Sequence, residues 1–128
     1  MKYYIEKVVE LSFGDALARV ADGLKAEGFG VLTEIDMSET MKKKLSVDLP
    51  GYRILGACNP SLAHQALQVD ERIGLLLPCN VIVRETPEGK VEVAAIDPAA
   101  SMQTVGNPRL IQIAQQVQAK LKRVITAL

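Results

Sequence analysis

The chain has 128 residues, with fifteen basic and fifteen acidic side chains and a hydrophobic fraction of 48%. This length suits a single domain over residues 1–128, and the composition is typical of a globular protein rather than a disordered one. The neutral balance lacks the basic footprint of a nucleic-acid binder, and no apolar run approaches the roughly 18 residues that span a bilayer, so we expect neither nucleic-acid nor membrane partners.

The N-terminal residues, MKYYIE, lead directly into alternating sequence and lack the apolar core of a signal peptide. We therefore expect a cytoplasmic protein, in which thiols are normally reduced. The chain contains only two cysteines, too few for a disulfide framework in a domain of this size, so both are predicted to be free.

The first predicted elements are a strand and a helix. Residues 2–10 alternate loosely and carry β-branched and aromatic side chains, which indicates a strand. Ser12 is typical of a helix N-cap with Asp15 three residues on, apolar residues follow at helical spacing, and Gly28 is predicted to end this helix.

A second strand and a short helix follow. Apolar residues alternate from Phe29 to Met37, and Ser38 is predicted to cap the helix SETMKKKL. The lysine run at 42–44 favours a solvated helix face over an anion site.

The second half of the chain predicts a third strand, a helix, a hairpin and a last helix. The strand runs from Tyr52 to Cys58, and the helix that Asn59 starts runs to about Val69. Leucines 75–77 are predicted to make a buried approach to the sheet. The hairpin joins strands at 81–85 and 91–96 around TPEG, and Asn107-Pro108 opens the last helix. The order βαβαβαββα predicts an α+β fold, with helices mainly on one face of a largely antiparallel sheet.

The first Cys-Asn motif is Cys58-Asn59-Pro60. Asn at an N-cap accepts a hydrogen bond from a free N–H, and Pro is favoured next because its φ is already helical, so backbone needs explain both residues. Cys58 has two interpretations. It is either a small buried hydrophobe on its strand, or a thiol whose thiolate the start of the helix favours.

His64 is the only histidine. It falls opposite the apolar face of its predicted helix, close to Ser61, Gln65 and Gln68. This position argues against a core histidine and leaves a solvated side chain or one that handles protons.

The second Cys-Asn motif is Pro78-Cys79-Asn80. Pro78 cannot donate to a sheet ladder, which predicts a strand start, an edge or a bulge. Asn80 either bonds irregular backbone, the interpretation that we favour, or presents its amide to a ligand.

Together these blocks form a pattern that spans essentially the whole chain. CNP at 58–60 is followed by Ala63 and Ala66-Leu67, and GLLLPCNV at 74–81 by Asp97-Pro98 and Met102. In order and spacing the pattern resembles the signature of the domain of unknown function 302 family. The resemblance implies a compact α+β fold similar to the TATA-binding-protein type, is compatible with homodimers, and brings no established activity. It points to the matching positions Cys58, Asn59, Pro60, Pro78, Cys79, Asn80, Asp97 and Met102.

Several common sites have no motif in this sequence. The glycine patterns of dinucleotide and P-loop sites do not occur, nor do the GxSxG and HExxH motifs. The two cysteines and one histidine are too scattered for a zinc site, so we expect neither zinc nor a cofactor. A soft copper(I) site would need folding to bring Cys58, Cys79, His64 and Met102 together. Asp97 is by default a turn residue that ends a strand.

The sequence therefore leaves two classes of function. The first is a non-enzymatic ligand-binding or sensor module whose small-molecule ligand is unknown. The alternative is a thiol-based redox or sulfur-handling protein that uses Cys58 or Cys79. The candidate binding or redox residues are Cys58, Asn59, His64, Cys79, Asn80, Asp97 and Met102.

A homodimer is the expected assembly, and the last helix is one candidate for its contact. Its apolar residues follow three- and four-residue steps, widened by isoleucines: Leu110, Ala114, Val117, Leu121, Val124 and Leu128, with Ile111, Ile113 and Ile125. The stripe is either wholly intramolecular core, or core with a margin at Ile111 and Ile125 that meets a partner.

Overall fold

A computed structural model describes residues 2–128 of the chain. The strands are β1 (Tyr4–Val9), β2 (Gly30–Asp36), β3 (Tyr52–Cys58), β4 (Cys79–Glu85) and β5 (Val91–Ile96). The helices are α1 (Phe13–Ala26), α2 (Met37–Leu45), α3 (Pro60–Val69), α4 (Pro98–Met102) and α5 (Pro108–Thr126), and a 3₁₀ helix covers Glu71–Leu76. The predicted element order is confirmed, with the 3₁₀ helix and the short α4 as additions.

The strands form one five-stranded sheet in the order β1-β5-β4-β3-β2, and every neighbouring pair is antiparallel. Alternate residues of β4 and β5 are buried against α1 and α5, because successive side chains of a strand point to opposite faces. Within residues 2–128, no helix packs across the centre of the opposite face, where side chains of β3, β4 and β5 line an open groove. The α+β prediction is thereby confirmed, and the likeness to the TATA-binding-protein type stays a prediction.

Two clusters of buried apolar side chains make up the core. The first fills the space between the sheet and the helices α1 and α5, and it includes Leu24, Val83 and Leu121. The second lies where α3, the 3₁₀ helix, α4 and α5 meet, and it consists of Ala66, Ile73, Met102, Leu110 and Ala114. The candidate site lies at the boundary between these clusters.

Local signals predicted most helix ends. The Ser12 hydroxyl accepts a hydrogen bond from the Asp15 N–H at 3.1 Å, and Gly28 follows α1 with a φ of +85°, as expected. The predicted Ser38 cap is wrong. Asp36 caps α2 by accepting from the Glu39 N–H at 3.0 Å, while the Ser38 hydroxyl donates to the Pro50 carbonyl.

Two predictions about apolar residues are corrected by their burial. Ile125 is only 3% exposed and belongs to the first core cluster, so it does not lie on a margin of α5 that is free to meet a partner. Leu75 is 86% exposed, because the 3₁₀ helix turns Ile73 inward and leaves Leu75 outside. Leucines 75–77 therefore do not make a buried approach to the sheet. None of the helices within residues 2–128 is both long enough and apolar enough to cross a membrane.

Candidate functional site

The two Cys-Asn motifs meet at one end of the sheet. Antiparallel pairing of β3 with β4 places Ala57 opposite Cys79 and Gly56 opposite Asn80. Cys58 is the last residue of β3, and Cys79 is the first of β4. Residues 21 positions apart in sequence are therefore neighbours because of strand register.

A small apolar cavity of about 40 Å³ lies behind this corner, on the helix-covered side. Both core clusters contribute to its walls, and none of the acidic or basic residues within 2–128 lines it. Three of the lining residues carry sulfur, namely Cys58, Cys79 and Met102. The residues that line this cavity are Phe29, Ala57, Cys58, Asn59, Leu62, Ala63, Ala66, Leu77, Pro78, Cys79, Pro98, Met102, Leu110, Ile113, Ala114 and Val117.

The asparagine of the first motif has a structural role. The Asn59 side-chain oxygen accepts a hydrogen bond from the Leu62 N–H at 3.3 Å and caps α3, as predicted. Its amide nitrogen donates to the Glu27 carbonyl at 3.5 Å, which ties the start of α3 to the end of α1. Cys58 beside it is a free thiol that is only half-buried, so its burial does not decide between the two interpretations.

The cysteine of the second motif is the buried one. Burial raises the pKa of the Cys79 thiol from 9.0 to about 11, and the neighbouring Cys58 adds a smaller electrostatic contribution in the same direction. The Cys79 thiol is therefore held protonated at neutral pH, which makes it a poor nucleophile. The prediction of two free thiols agrees with this geometry.

Asn80 differs from Asn59 in having no structural partner. Its side chain is exposed, and none of the side-chain hydrogen bonds formed within residues 2–128 involves it. The favoured interpretation that Asn80 bonds irregular backbone is therefore wrong. Pro78 precedes the first residue of β4, as its missing N–H predicts, and the Leu77–Pro78 peptide bond is cis.

Asn80 stands between two depressions, a groove on the open face of the sheet and a cleft at the end of the sheet. A groove of about 410 Å³ crosses the open face, and its walls include Tyr3, Tyr4, Tyr52, Arg84 and Glu92. The Arg84 Nε atom and the Glu92 Oε1 atom lie 2.8 Å apart, so these charges pair with each other on the groove floor. The groove thus has aromatic walls and one ion pair whose two charges neutralise each other.

The second depression is a cleft of about 250 Å³ at the end of the sheet. Its lining includes Leu75, Leu76 and Ser101, and it shares Asn80 and Ile96 with the groove. It also shares Leu77, Pro78, Cys79, Pro98 and Met102 with the apolar cavity. The second Cys-Asn motif and Met102 therefore form a wall between the open cleft and the cavity.

Asp97 and His64 lie outside these spaces. The Asp97 carboxylate accepts from the Ala99 N–H and from the Gln118 side-chain amide, each at 3.0 Å, which caps α4 and ties it to α5. His64 is exposed on α3 and lines neither the cavity, the groove nor the cleft. Within residues 2–128, no three side chains of the types His, Cys, Asp and Glu are grouped to hold a metal ion.

Sequence reasoning missed the groove residues. Tyr3 and Tyr4 are far in sequence from Tyr52 and Arg84, and the two groups come together because β1, β5, β4 and β3 are neighbours in the sheet. The sequence carried one signal of the groove, the alternation of side chains between the two faces of a strand. Tyr4 and Glu6 share one face of β1, and Asn80, Ile82 and Arg84 share one face of β4.

The fold and this corner together define a class: α+β proteins with helices on one face of an antiparallel sheet and paired Cys-Asn motifs at its end. The family model described as "Domain of unknown function DUF302" matches residues 5–128, and the chain belongs to this family. The chain is also similar to a solved structure, the crystal structure of an uncharacterised conserved DUF302 protein from Bacillus stearothermophilus. The two are 25% identical over 98% of each chain, with a TM-score of 0.92. No curated protein matches the chain.

Proposed function

We propose that the protein is a non-enzymatic module that binds a small organic molecule beside the second Cys-Asn motif. One observation carries this proposal: Asn80 is exposed, lacks a hydrogen-bond partner within residues 2–128, and stands where the groove and the cleft meet. An asparagine amide offers both donors and an acceptor, so it can fix the orientation of a polar group on a ligand.

Size and lining support a small organic ligand. Ligand pockets typically have volumes of roughly 300–1,000 Å³, mostly apolar walls and a few polar groups. The groove alone measures about 410 Å³, and the adjoining cleft adds an apolar rim. Tyr4 and Tyr52 supply flat aromatic surfaces with hydroxyl tips. A ligand with a flat apolar body and one amide-like or hydroxyl group fits this combination.

A screen of water-soluble aromatic carboxamides and phenols, followed by NMR of the full-length protein labelled with nitrogen-15, tests the proposal. We expect hits to shift the resonances of Asn80, Ile96 and their strand neighbours. Asn80→Ala should weaken each hit by about threefold to tenfold, the value of one net hydrogen bond. His64→Ala is the matched control, because His64 is exposed and lines neither depression. Hits whose affinity is unchanged by Asn80→Ala, or a screen that yields no hits, reject the proposed site.

The thiol-based alternative has one observation in its favour, which is the half-buried Cys58 beside Cys79 on the cavity wall. Against it stands the position of the sole histidine, His64, which is exposed on α3 and does not line the cavity. We infer that any thiol chemistry would use Cys58, because the raised pKa of Cys79 keeps that thiol protonated.

We also propose a homodimer in the cytoplasm, with a contact surface different from the α5 seam. Exposed apolar side chains are concentrated between residues 31 and 49, where Leu32 and Leu45 are each 66% exposed. A second copy is a suitable occupant, since a chain with no net charge does not repel another copy of itself. Burying exposed apolar side chains against each other is favourable.

Light scattering at micromolar concentration tests this assembly, and a monomer rejects it. We expect Leu32→Glu with Leu45→Glu to yield monomers that keep the wild-type circular dichroism spectrum. Leu75→Glu is the control, because Leu75 is even more exposed but lies outside this segment. A dimer that survives the double substitution excludes residues 31–49 as the contact.

A further inference from the structure

The apolar cavity behind the Cys-Asn corner differs from the groove in size and chemistry. At about 40 Å³ it is far below the volumes that hold organic ligands, and well below the roughly 150 Å³ cavity that accommodates benzene. It suits a single ion or a very small molecule. A buried water needs two to four polar partners, which these walls scarcely provide.

Sulfur is the distinctive chemistry of this cavity. Cys58 lines the cavity and neither of the two open depressions, although regular alternation along β3 would turn it away from Cys79. The chain leaves β3 at this residue, which allows Cys58 to face the same space. Cys79 and Met102 are both buried and line the cavity as well as the cleft.

We propose that this cavity binds one Cu(I) ion through Cys58, Cys79 and Met102. Thiolate and thioether sulfurs are soft ligands, which favour Cu(I), whereas hard ions prefer oxygen ligands. In the part of the chain that the structure describes, no histidine or carboxylate lines the cavity, so His64 is removed from the four copper ligands that the sequence suggested. The remaining three sulfurs offer Cu(I) a site with few ligands in apolar surroundings.

The binding step balances without a redox partner. Each cysteine exchanges its S–H bond for a sulfur–copper bond and releases one proton to solvent, and Met102 contributes a lone pair. Copper arrives and stays as Cu(I), so no electron is transferred. The cleft supplies the entry path, because Cys79 and Met102 border both spaces.

Competition under anaerobic conditions tests this site on the purified full-length protein. Cu(I), supplied as its acetonitrile complex, is first bound by bicinchoninate, and the loss of that complex's colour reports transfer to the protein. We expect one copper and two released protons per chain, with thiolate-to-copper absorption in the ultraviolet. An unchanged bicinchoninate colour, or displacement of bound copper by excess Zn²⁺, overturns the assignment.

Variants separate the site from adventitious binding to thiols. Cys58→Ser and Cys79→Ser should each weaken binding by more than the roughly 100-fold that loss of an outer-sphere partner costs. Met102→Leu nearly conserves volume, so the chain should stay folded while its copper affinity falls at least about tenfold. If the cysteine variants fail to fold, Met102→Leu decides the matter. Unchanged affinity in Met102→Leu, or equal loss in His64→Ala, overturns the site.

The proposal of a copper site and the proposal of a ligand groove can be rejected independently of each other. Asn80 lines the groove and the cleft but not the cavity, so Asn80→Ala should leave copper affinity unchanged. Loss of copper affinity in Asn80→Ala contradicts the assignment of the metal to the apolar cavity.

Discussion

The same dipeptide occurs twice at the end of this sheet, and its two residues exchange roles between the copies. In the first motif Asn59 is engaged by α3 and α1, while Cys58 is half-buried. In the second motif Cys79 is buried, while Asn80 is exposed and unbonded within the described chain. One motif ends a strand and begins a helix, whereas the other begins a strand. Position relative to the element therefore determines which member of the pair is available for binding.

The largest expected difference between the motifs is in thiol reactivity. Raising the pKa of Cys79 from 9.0 to about 11 lowers its thiolate fraction by about 100-fold below pH 9, so it should be alkylated at least that much more slowly than an ordinary thiol. Iodoacetamide labelling followed by mass spectrometry measures both sites, and the urea-unfolded chain provides the reference. The Cys79→Ser variant retains Cys58 and should be alkylated rapidly, whereas Cys58→Ser retains Cys79 and should be alkylated slowly. Rapid and equal labelling of both cysteines in the native protein contradicts the comparison.

The buried thiol should also make the stability depend on alkaline pH. The pKa of Cys79 is raised on folding, so its contribution is fully present below pH 9 and is lost as pH rises towards 11. A shift of two units corresponds to on the order of 2–3 kcal/mol of unfolding free energy. Urea denaturation of the metal-free protein from pH 8 to 11 measures it. The decrease of unfolding free energy with rising pH should be smaller in Cys79→Ala than in the wild type, and unchanged in Cys58→Ala. An equal decrease in the wild type and both variants would exclude Cys79 as the cause.

Gly56 tests the close packing around the second motif. A Cβ atom at this position would collide with the Thr33 hydroxyl oxygen and would lie 2.8 Å from Pro78 Cγ. We expect Gly56→Ala to destabilise the protein by about 1–3 kcal/mol, as overpacking does. Gly30→Ala is the matched control, since Gly30 also lies in a strand and its Cβ would meet nothing within 4 Å. Similar urea midpoints for the two variants would show that the corner can relax.

The smallest expected difference separates the two asparagines. Asn59→Ala removes the N-cap of α3 and should lower the free energy of unfolding by about 1 kcal/mol. Asn80→Ala removes an exposed side chain and should change stability by less than about 0.5 kcal/mol. Urea denaturation of both variants at neutral pH makes the comparison. A larger loss for Asn80→Ala than for Asn59→Ala would reverse the assigned roles.

Sequence reasoning predicted features that depend on neighbouring residues. The caps at Ser12, Asn59 and Asn107 each need only two or three following residues, and the structure contains all three. Ser38 was misassigned because Asp36, two residues earlier, satisfies the same helix start. Burial of Ile125 and exposure of Leu75 depend on what packs nearby, which periodicity alone does not specify.

The candidate site was predictable in its residues but not in its geometry. Cysteine and asparagine types marked both motifs, whereas their meeting depends on the pairing of Ala57 with Cys79. The groove was not predicted, because Tyr3 and Tyr4 lie far in the chain from Tyr52 and Arg84. Non-local strand pairing is the information that a single sequence read locally lacks.

Strand order also has a consequence for synthesis on the ribosome. Among the strands of residues 2–128, β1 pairs with β5 alone, and its partners lie more than 80 residues later in the chain. At about 5–20 residues per second, roughly 4–16 s pass before those partners are made. During that interval β1, with Ile5 and Val9, has no strand to pair with and is open to non-native pairing or to capture by chaperones. A chain arrested before residue 91 should therefore expose β1 to protease, and a chain released after β5 should protect it.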